Sequence, residues 1–229
     1  MLTSSRRERA EKLAALERAV VACRRCPRLV AWREKVAREK KAAYSGEEYW
    51  GRPVPGFGDP DAHVVVFGLA PAAHGANRTG RFFTGDRSGD FLFAALHRQG
   101  FANRPVSRSR DDGLILSNAW ISAAVRCAPP ENRPTPAERD ACLPYTAREL
   151  ELLDAKVVVC LGAFAWDAAL RLYRVRPKPK FAHGAEHREG SVTLLGCYHP
   201  SQQNTFTGVL TPAMLDAVLA RAQDLGAAR

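Results

Sequence analysis

Short apolar runs alternate with longer amphipathic stretches along most of this chain. Residues 63–68, 156–162 and 191–198 have the length and β-branched content of buried strands. The region 114–125 is predicted to supply a further strand. Because helical patterns separate these runs, we expect an α/β fold with three α/β/α layers around a mostly parallel, four-stranded sheet.

The helical pattern extends to the N-terminal segment, where residues 5–42 are predicted to form two basic helices. Farther along, Thr135 and Glu138 form a capping-box pattern with Pro136 at the first helical position, so a helix is predicted to run to about residue 153. We find no internal repeat, low-complexity tract or linker. The sequence therefore predicts one domain over residues 1–229, with the N-terminal helices attached to it.

Composition narrows the class of protein. The 229 residues contain 34 Lys and Arg against 24 Asp and Glu, giving a net charge of +10. Such a charge suits a polyanion such as DNA, although a basic protein without any nucleic-acid partner has the same balance. No apolar run reaches the roughly 18–20 residues of a membrane span, and the charged N-terminus lacks a signal-peptide core. We therefore expect a cytoplasmic protein with no membrane contact.

The six cysteines are not expected to form disulfides inside a cell, where thiols stay reduced, and their positions divide them into two kinds. Cys160 and Cys197 lie inside apolar strand runs, where free cysteine is a common core residue. The other four lie in loops or at helix ends and are candidate metal ligands: Cys23, Cys26, Cys127 and Cys142. Four thiolates hold zinc or an iron–sulfur cluster equally well, and unligated thiols are the third possibility.

Two loops follow predicted strands, at the edge of the sheet where α/β folds bind ligands. The first contains Gly68-Leu-Ala-Pro-Ala-Ala-His-Gly75 and continues to Phe-Phe-Thr-Gly-Asp86; it matches neither dinucleotide nor P-loop patterns. The second is His199-Pro-Ser-Gln-Gln-Asn-Thr-Phe-Thr-Gly208. Taken alone, His199 is typical of an ordinary surface or core histidine, and Asp86 of a helix cap before Ser88.

Together with Ala-Ala-Val-Arg-Cys127-Ala-Pro-Pro-Glu-Asn132, these loops resemble the family 5, or type b, uracil-DNA glycosylases of the iron–sulfur branch. The resemblance extends from Cys23 to the last helix. It implies a uracil-DNA glycosylase-like fold and a monofunctional enzyme that flips uracil, and other deaminated bases such as hypoxanthine, out of DNA and hydrolyses the N-glycosidic bond. It also implies that the four cysteines hold a structural [4Fe–4S] cluster.

The resemblance assigns roles to individual positions. His199 corresponds to the catalytic histidine, and the third position of the first motif, often polar in the superfamily, is Ala70. Asp86 is then the candidate water activator, and Asn132 a base-reading or water-holding amide. Residues predicted to bind the base are Phe83, Ala70, Gly68 and Ala72. Residues predicted to contact DNA are Ser201, Gln202, Gln203, Asn204 and Thr205.

Two adjacent aromatic residues, Phe82 and Phe83, are not expected to line the pocket together, because neighbouring side chains of an extended segment point in opposite directions. The expected partner is single- or double-stranded DNA containing deaminated bases, bound by a monomer. Two alternatives are a non-catalytic cluster protein that binds DNA or transfers electrons, and a zinc-stabilised nucleic-acid module. Release of a free base from DNA would exclude the first alternative. A brown protein would exclude the second, because an iron–sulfur cluster is coloured and zinc is colourless.

Overall fold

A six-stranded mixed sheet forms the centre of the computed structural model, which describes residues 4–227. The strands are β1 (Phe57–Gly58), β2 (Val64–Gly68), β3 (Ala119–Ala123), β4 (Val157–Leu161), β5 (Glu186–Glu189) and β6 (Val192–Cys197). They lie in the order β1-β3-β2-β4-β6-β5, and the four inner strands run parallel. The predicted α/β class with a mostly parallel sheet is confirmed.

The predicted number of four strands is wrong, because two antiparallel strands close the edges of the sheet. β1 has only two residues, and β5 is the polar and mostly exposed segment Glu186-His-Arg-Glu189. Edge strands are held by backbone hydrogen bonds and need no buried face, so they carry no apolar pattern. In the predicted region 114–125, only Ala119–Ala123 forms a strand.

Eight helices within the described residues surround the sheet. They are α1 (Ser4–Val21), α2 (Pro27–Glu39), α3 (Ala76–Thr79), α4 (Arg87–Arg98), α5 (Pro136–Leu153), α6 (Ala163–Leu172), α7 (Gln202–Phe206) and α8 (Pro212–Ala227). α5 begins with the predicted capping box: Glu138 N donates to Thr135 Oγ1 at 3.2 Å, and Thr135 N donates to the Glu138 carboxylate at 2.8 Å.

The two faces of the sheet are covered by different helices. In β2, Val64 and Val66 pack into a core that includes residues of α4 and α8, whereas Val65 and Phe67 pack against residues of α1, α5 and α6. Alternate residues of a strand point to opposite faces, so one apolar run serves both cores. The result is the predicted three-layer α/β/α arrangement. Among residues 4–227, no helix has the length and apolar content needed to cross a membrane.

Candidate active site

A cavity of about 290 Å³ opens at the carboxyl ends of β2, β3 and β6. The structure brings together there all the residues that the sequence predicted for catalysis and base binding. The cavity is lined by Gly68, Leu69, Ala70, Pro71, Ala72, Ala76, Phe82, Phe83, Asp86, Ser88, Ala123, Asn132, His199 and Ser201. Its position agrees with the rule that ligands bind beyond the carboxyl ends of parallel strands.

Three larger depressions lie elsewhere and contain none of the predicted site residues. One, of about 810 Å³, lies between α1, α2 and residues 49–52. A second, of about 390 Å³, lies between α1 and the segment around β1, and a third, of about 450 Å³, lies between β1 and residues 114–117. Only the smaller cavity brings together His199, Asp86 and Phe83 at the carboxyl ends of the strands. We therefore identify the smaller cavity as the candidate active site.

Phe83 forms one wall of this cavity. Its backbone is left-handed, with φ of 52°, and its ring lies against Gly68, where a Cβ atom would come within 3.0 Å of the ring. The ring centroid is 6.1 Å from that of His199. Phe82 also borders the cavity, but its side chain is 1% exposed and belongs to the apolar core. As expected from their adjacent positions, one of the two rings, Phe82, is a core residue, whereas Phe83 is only partly buried.

Asp86 directly precedes α4, and each of its two carboxylate oxygens has a different neighbour. Its Oδ1 accepts a hydrogen bond from Gly89 N at 2.9 Å, which is the predicted helix cap. Its Oδ2 lies against Gly75, where a Cβ atom would approach to 2.1 Å. Burial raises the pKa of the Asp86 carboxyl, and the N–H groups of Gly89 and Ser88 oppose this increase. The same carboxylate therefore caps a helix and lines the cavity.

His199 follows the last strand and is held by its main chain. Asn204 Nδ2 donates a hydrogen bond to the His199 carbonyl at 2.8 Å, and Gly162 leaves room beside the His199 Cβ atom. The imidazole is partly open to the cavity, but surrounding protein atoms desolvate it and lower its pKa to about 4. At neutral pH, the ring is uncharged and its one N–H group is available as a hydrogen-bond donor.

Asn132 lies at the rim of the cavity, at the end of the short 3₁₀ turn Pro130–Asn132. Its φ of 56° and the φ of 53° at Glu131 give the turn a left-handed backbone, which asparagine tolerates better than most residues. The side chain is exposed. Asn132 is thus a turn residue that also forms part of the cavity wall.

The segment after His199 folds into the short helix α7. Ser201 Oγ accepts from Asn204 N at 3.3 Å and caps the helix, and Thr205 Oγ1 donates to the Ser201 carbonyl at 3.1 Å. These hydrogen bonds lie within the segment itself. Gln202 and Gln203, in contrast, are exposed. Of the five residues predicted to contact DNA, Ser201 also lines the cavity.

Several lining residues were not predicted, although some of them had a visible signal. Pro71 and Ala76 belong to the motif after β2, and Ala123 ends β3, whose carboxyl end adjoins that of β2. The sequence predicted a strand around Ala123 but did not show that this strand would pair with β2. Leu69, Phe82 and Ser88 complete the set of lining residues that sequence reasoning missed.

The four candidate ligand cysteines line one small cavity together. Cys23 and Cys26 follow the end of α1, Cys127 lies in the loop after β3, and Cys142 lies in α5. Cys127 and Cys142 are buried. The other two cysteines, Cys160 and Cys197, are buried in the strands β4 and β6 and do not line this cavity.

Two N–H groups point at sulfur atoms of this cluster of cysteines, although burial raises the pKa of the Cys26, Cys127 and Cys142 thiols. Arg33 Nη1 donates to Cys127 Sγ at 2.8 Å, and Arg126 N donates to Cys142 Sγ at 3.3 Å. The Arg33 side chain is 2% exposed, and its Nε has no acceptor among the described residues. Within residues 4–227, however, no three His, Cys, Asp or Glu side chains converge on the position of a single metal ion.

Comparison with known proteins gives a consistent result. Residues 55–223 match the family model of the uracil DNA glycosylase superfamily. A type-5 uracil-DNA glycosylase of Mycobacterium leprae is 55% identical over 89% of this chain and 91% of its own length. One from Thermus thermophilus is 51% identical over 92% of this chain and 97% of its own length. A type-4 uracil-DNA glycosylase of Archaeoglobus fulgidus is 31% identical over 65% of this chain and 70% of its own length.

These matches cover both the strand-end loops and the segment with the cysteines. The family model includes the whole cavity, from Gly68 to Ser201, and the type-5 relatives extend over most of the rest. Identity to the type-4 protein is lower and covers less of the chain. The chain therefore belongs to the uracil-DNA glycosylase superfamily and, within it, to the type-5 uracil-DNA glycosylases.

Proposed function

We propose that this protein removes uracil from DNA by hydrolysing the N-glycosidic bond, as the first step of base-excision repair. One observation carries the proposal: the imidazole of His199, the carboxylate of Asp86 and the ring of Phe83 surround a single cavity. Its volume of about 290 Å³ is at the small end of ligand pockets, so it suits one nucleobase and not a larger cofactor. The names of the relatives support the same substrate.

Binding requires that the base leave the helical stack, because its glycosidic bond is not accessible inside a duplex. Phe83 offers a flat apolar surface beside His199 on which the extruded base stacks. Such a platform contributes roughly 1–3 kcal/mol per base, which offsets the few kcal/mol needed for unstacking. Asn132, at the rim, is placed to hydrogen-bond the base edge or a water molecule.

Cleavage of the bond between C1′ and N1 leaves the electron pair on the uracil and positive charge on the sugar. We assign to neutral His199 a hydrogen bond to the uracil O2 atom, where part of the negative charge accumulates. Asp86 orients the water whose oxygen bonds to C1′, and it takes up the proton that this water loses. The departing uracil anion takes up a proton from solvent water, and Asp86 returns its proton to the solvent, so that the neutral base is released. No lysine lines the cavity among the described residues, which supports hydrolysis without strand cleavage.

The walls of the cavity also bear on the range of substrates. Ala70, Ala72 and Ala76 are small and apolar, and they leave space where a larger side chain would exclude a second ring. We therefore propose that hypoxanthine is released as well as uracil. We further propose a single domain over residues 1–229 that works as a cytoplasmic monomer on single- and double-stranded DNA.

A panel of oligonucleotides, each with one uracil, hypoxanthine or undamaged base at the same position, tests this function. We expect the purified protein to release free uracil and hypoxanthine, and to leave an abasic site in an intact strand until alkali is added. Chromatography of the released base and gel analysis of the strand provide the two readouts. Binding to the uracil oligonucleotide without base release would instead favour the non-catalytic alternative.

We propose that Cys23, Cys26, Cys127 and Cys142 hold a [4Fe–4S] cluster. When bound, such a cluster supplies a covalent link between elements that are distant in the sequence. Support comes from the shared cavity, from the two N–H groups donated to sulfur, and from the positive charge of Arg33 and Arg126 beside thiolates. The chain then uses the cluster to tie the α1–α2 turn to α5 and the loop after β3.

Replacing Cys142 with serine is expected to remove most of the protein-bound iron and the brown colour, and to lower the thermal unfolding temperature. Cys160→Ala is the matched control, because this buried cysteine lies in β4 outside the shared cavity. Iron analysis and visible absorbance of the purified variants are the measurements. A colourless wild-type protein containing zinc, or full iron retention in Cys142→Ser, would contradict the assignment.

A further inference from the structure

A buried arginine lies behind the carboxylate of Asp86. Arg78 belongs to the short helix α3, its side chain is 9% exposed, and it does not line the cavity. Its guanidinium donates to two main-chain carbonyls: Nε to that of His74 at 2.8 Å, and Nη2 to that of Gly85 at 2.9 Å. His74 directly precedes Gly75, and Gly85 directly precedes Asp86. One side chain therefore joins two separate segments of the loop after β2.

The two joined segments meet at the carboxylate of Asp86. Its Oδ2 atom lies against Gly75, whereas its Oδ1 atom is held by Gly89 N. A Cβ atom at Gly85 would come within 2.5 Å of Arg78 Nη2, and the φ of 76° there is a conformation that favours glycine. The guanidinium approaches closely because this glycine leaves room for it, and its two hydrogen bonds fix the spacing between Gly75 and Asp86.

The guanidinium is itself held in place by two further contacts. It lies over the Tyr44 ring at 3.9 Å from the ring centroid, and its Nη1 forms an ion pair with Glu47. Arginine suits this position because its planar fork offers five donors in fixed directions, so one side chain reaches both carbonyls and the carboxylate. A lysine carries the same charge on a single atom and has no fork with which to span both carbonyls.

Charged and polar groups act on Asp86 from several sides. Burial has the largest effect and raises the pKa of the carboxyl, and the charge of Asp90 raises it further. The backbone N–H groups at the start of α4 and the positive charge of Arg78 lower it. Arg87, the next residue, is exposed, and His199 in the same cavity is uncharged at neutral pH. Arg78 is therefore a buried cation that favours the ionised carboxylate.

We propose that Arg78 is a positioning residue for base excision: it holds Asp86 against Gly75 in the orientation in which the carboxylate accepts a proton from the attacking water. The inference rests on the proposed function, because it explains how Asp86 acquires its catalytic geometry. Arg78 acts from outside the cavity. Misplacement of reacting groups by about 1 Å costs about 100-fold in rate, so a residue that touches neither base nor water can control the reaction.

Arg78→Met is expected to slow single-turnover release of uracil by about 10–100-fold, while the Kd for uracil-containing DNA stays unchanged. Loss of the positive charge raises the pKa of Asp86, and the ionised carboxylate is the active form, so the acidic limb of the pH–rate profile should move to higher pH. Arg78→Lys restores the charge without the fork. It should return this limb to its wild-type position while recovering only part of the rate.

Arg81→Met is the matched control for this prediction. Arg81 is also buried, lies in the same loop and forms an ion pair with Asp112. Its hydrogen bonds go to Thr84 Oγ1 and to residues 107–110, and neither carbonyl that binds Arg78 accepts from it. This variant should lose thermal stability but keep the wild-type pH–rate profile.

A double-mutant cycle separates an effect through Asp86 from a general loss of structure. Adding Arg78→Met to Asp86→Asn is expected to slow release by less than about twofold beyond Asp86→Asn alone, because no carboxylate remains to be positioned. Multiplicative losses in the double variant, or an acidic limb that stays in place in Arg78→Met, would overturn the proposal. Where thermal unfolding shows that Arg78→Met does not fold, Arg78→Lys takes its place in the cycle, with the same criterion. Absence of uracil release by the wild type would instead refute the proposed function.

Discussion

Replacing His199 with alanine is expected to slow base release by about 100–1,000-fold while uracil-containing DNA still binds. The loss has this size because one preorganised hydrogen-bond donor to a developing anion is removed, and such donors typically contribute about 100–1,000-fold in rate. The imidazole is neutral at pH 7, since burial lowers its pKa to about 4. Single-turnover release of uracil and the Kd from a binding titration measure the two effects separately.

His97→Ala is the control for this prediction, because His97 is an exposed histidine in the last turn of α4 and does not line the cavity. It should retain the wild-type rate. His199→Gln keeps a neutral N–H donor and is expected to recover part of the activity that alanine loses. Near-normal release by His199→Ala would show that the imidazole does not stabilise the departing base.

Asp86→Asn should reduce base release by about 100–10,000-fold, which is the usual range for loss of a general acid or base. The asparagine is chosen because it also caps helices well, so α4 keeps its hydrogen bond from Gly89 N and the fold keeps its stability. Asp86→Ala removes the cap as well and is expected to lower stability by about 1 kcal/mol. Release rates and thermal unfolding together distinguish the carboxylate's catalytic role from its capping role.

The pH dependence provides a second readout for Asp86. Burial raises the pKa of its carboxyl, so acidification protonates it at a higher pH than an ordinary aspartate. The charged carboxylate is the active form, and the single-turnover rate should therefore fall as the pH decreases through this raised pKa. His199 adds no second loss near neutrality, because its own pKa lies at about 4. A rate that increases on acidification would exclude the assigned base.

Sequence periodicity predicted the four inner strands because each is a continuous apolar run buried on both faces. Residues Val64–Gly68 and Val157–Leu161 are completely buried and match their predicted runs closely. The edge strand β5 was not predicted, because its residues are polar and it forms only through backbone pairing with β6. The pattern of apolar and polar residues in such a strand does not reveal its pairing partner.

The candidate site, too, was predicted only in part. The motifs identified His199, Asp86 and Phe83, and the rule for strand ends placed them at one edge of the sheet. They did not indicate that the backbone at Phe83 would be left-handed or that its ring would lie against Gly68, because both features involve residues that are distant in the sequence. Nor did they indicate that one carboxylate oxygen of Asp86 would cap α4 while the other lies against Gly75.

By itself, the sequence determined the α/β class and the family and supplied the candidate reactive side chains, because these follow from local periodicity and from motifs of adjacent residues. The tertiary structure alone decided that His199, Asp86 and Phe83 meet in one cavity, and it decided the desolvation that raises the pKa of Asp86 and lowers that of His199. These quantities arise when strands distant in the sequence become neighbours and exclude water between them. They depend on packing, which no short segment of the chain specifies.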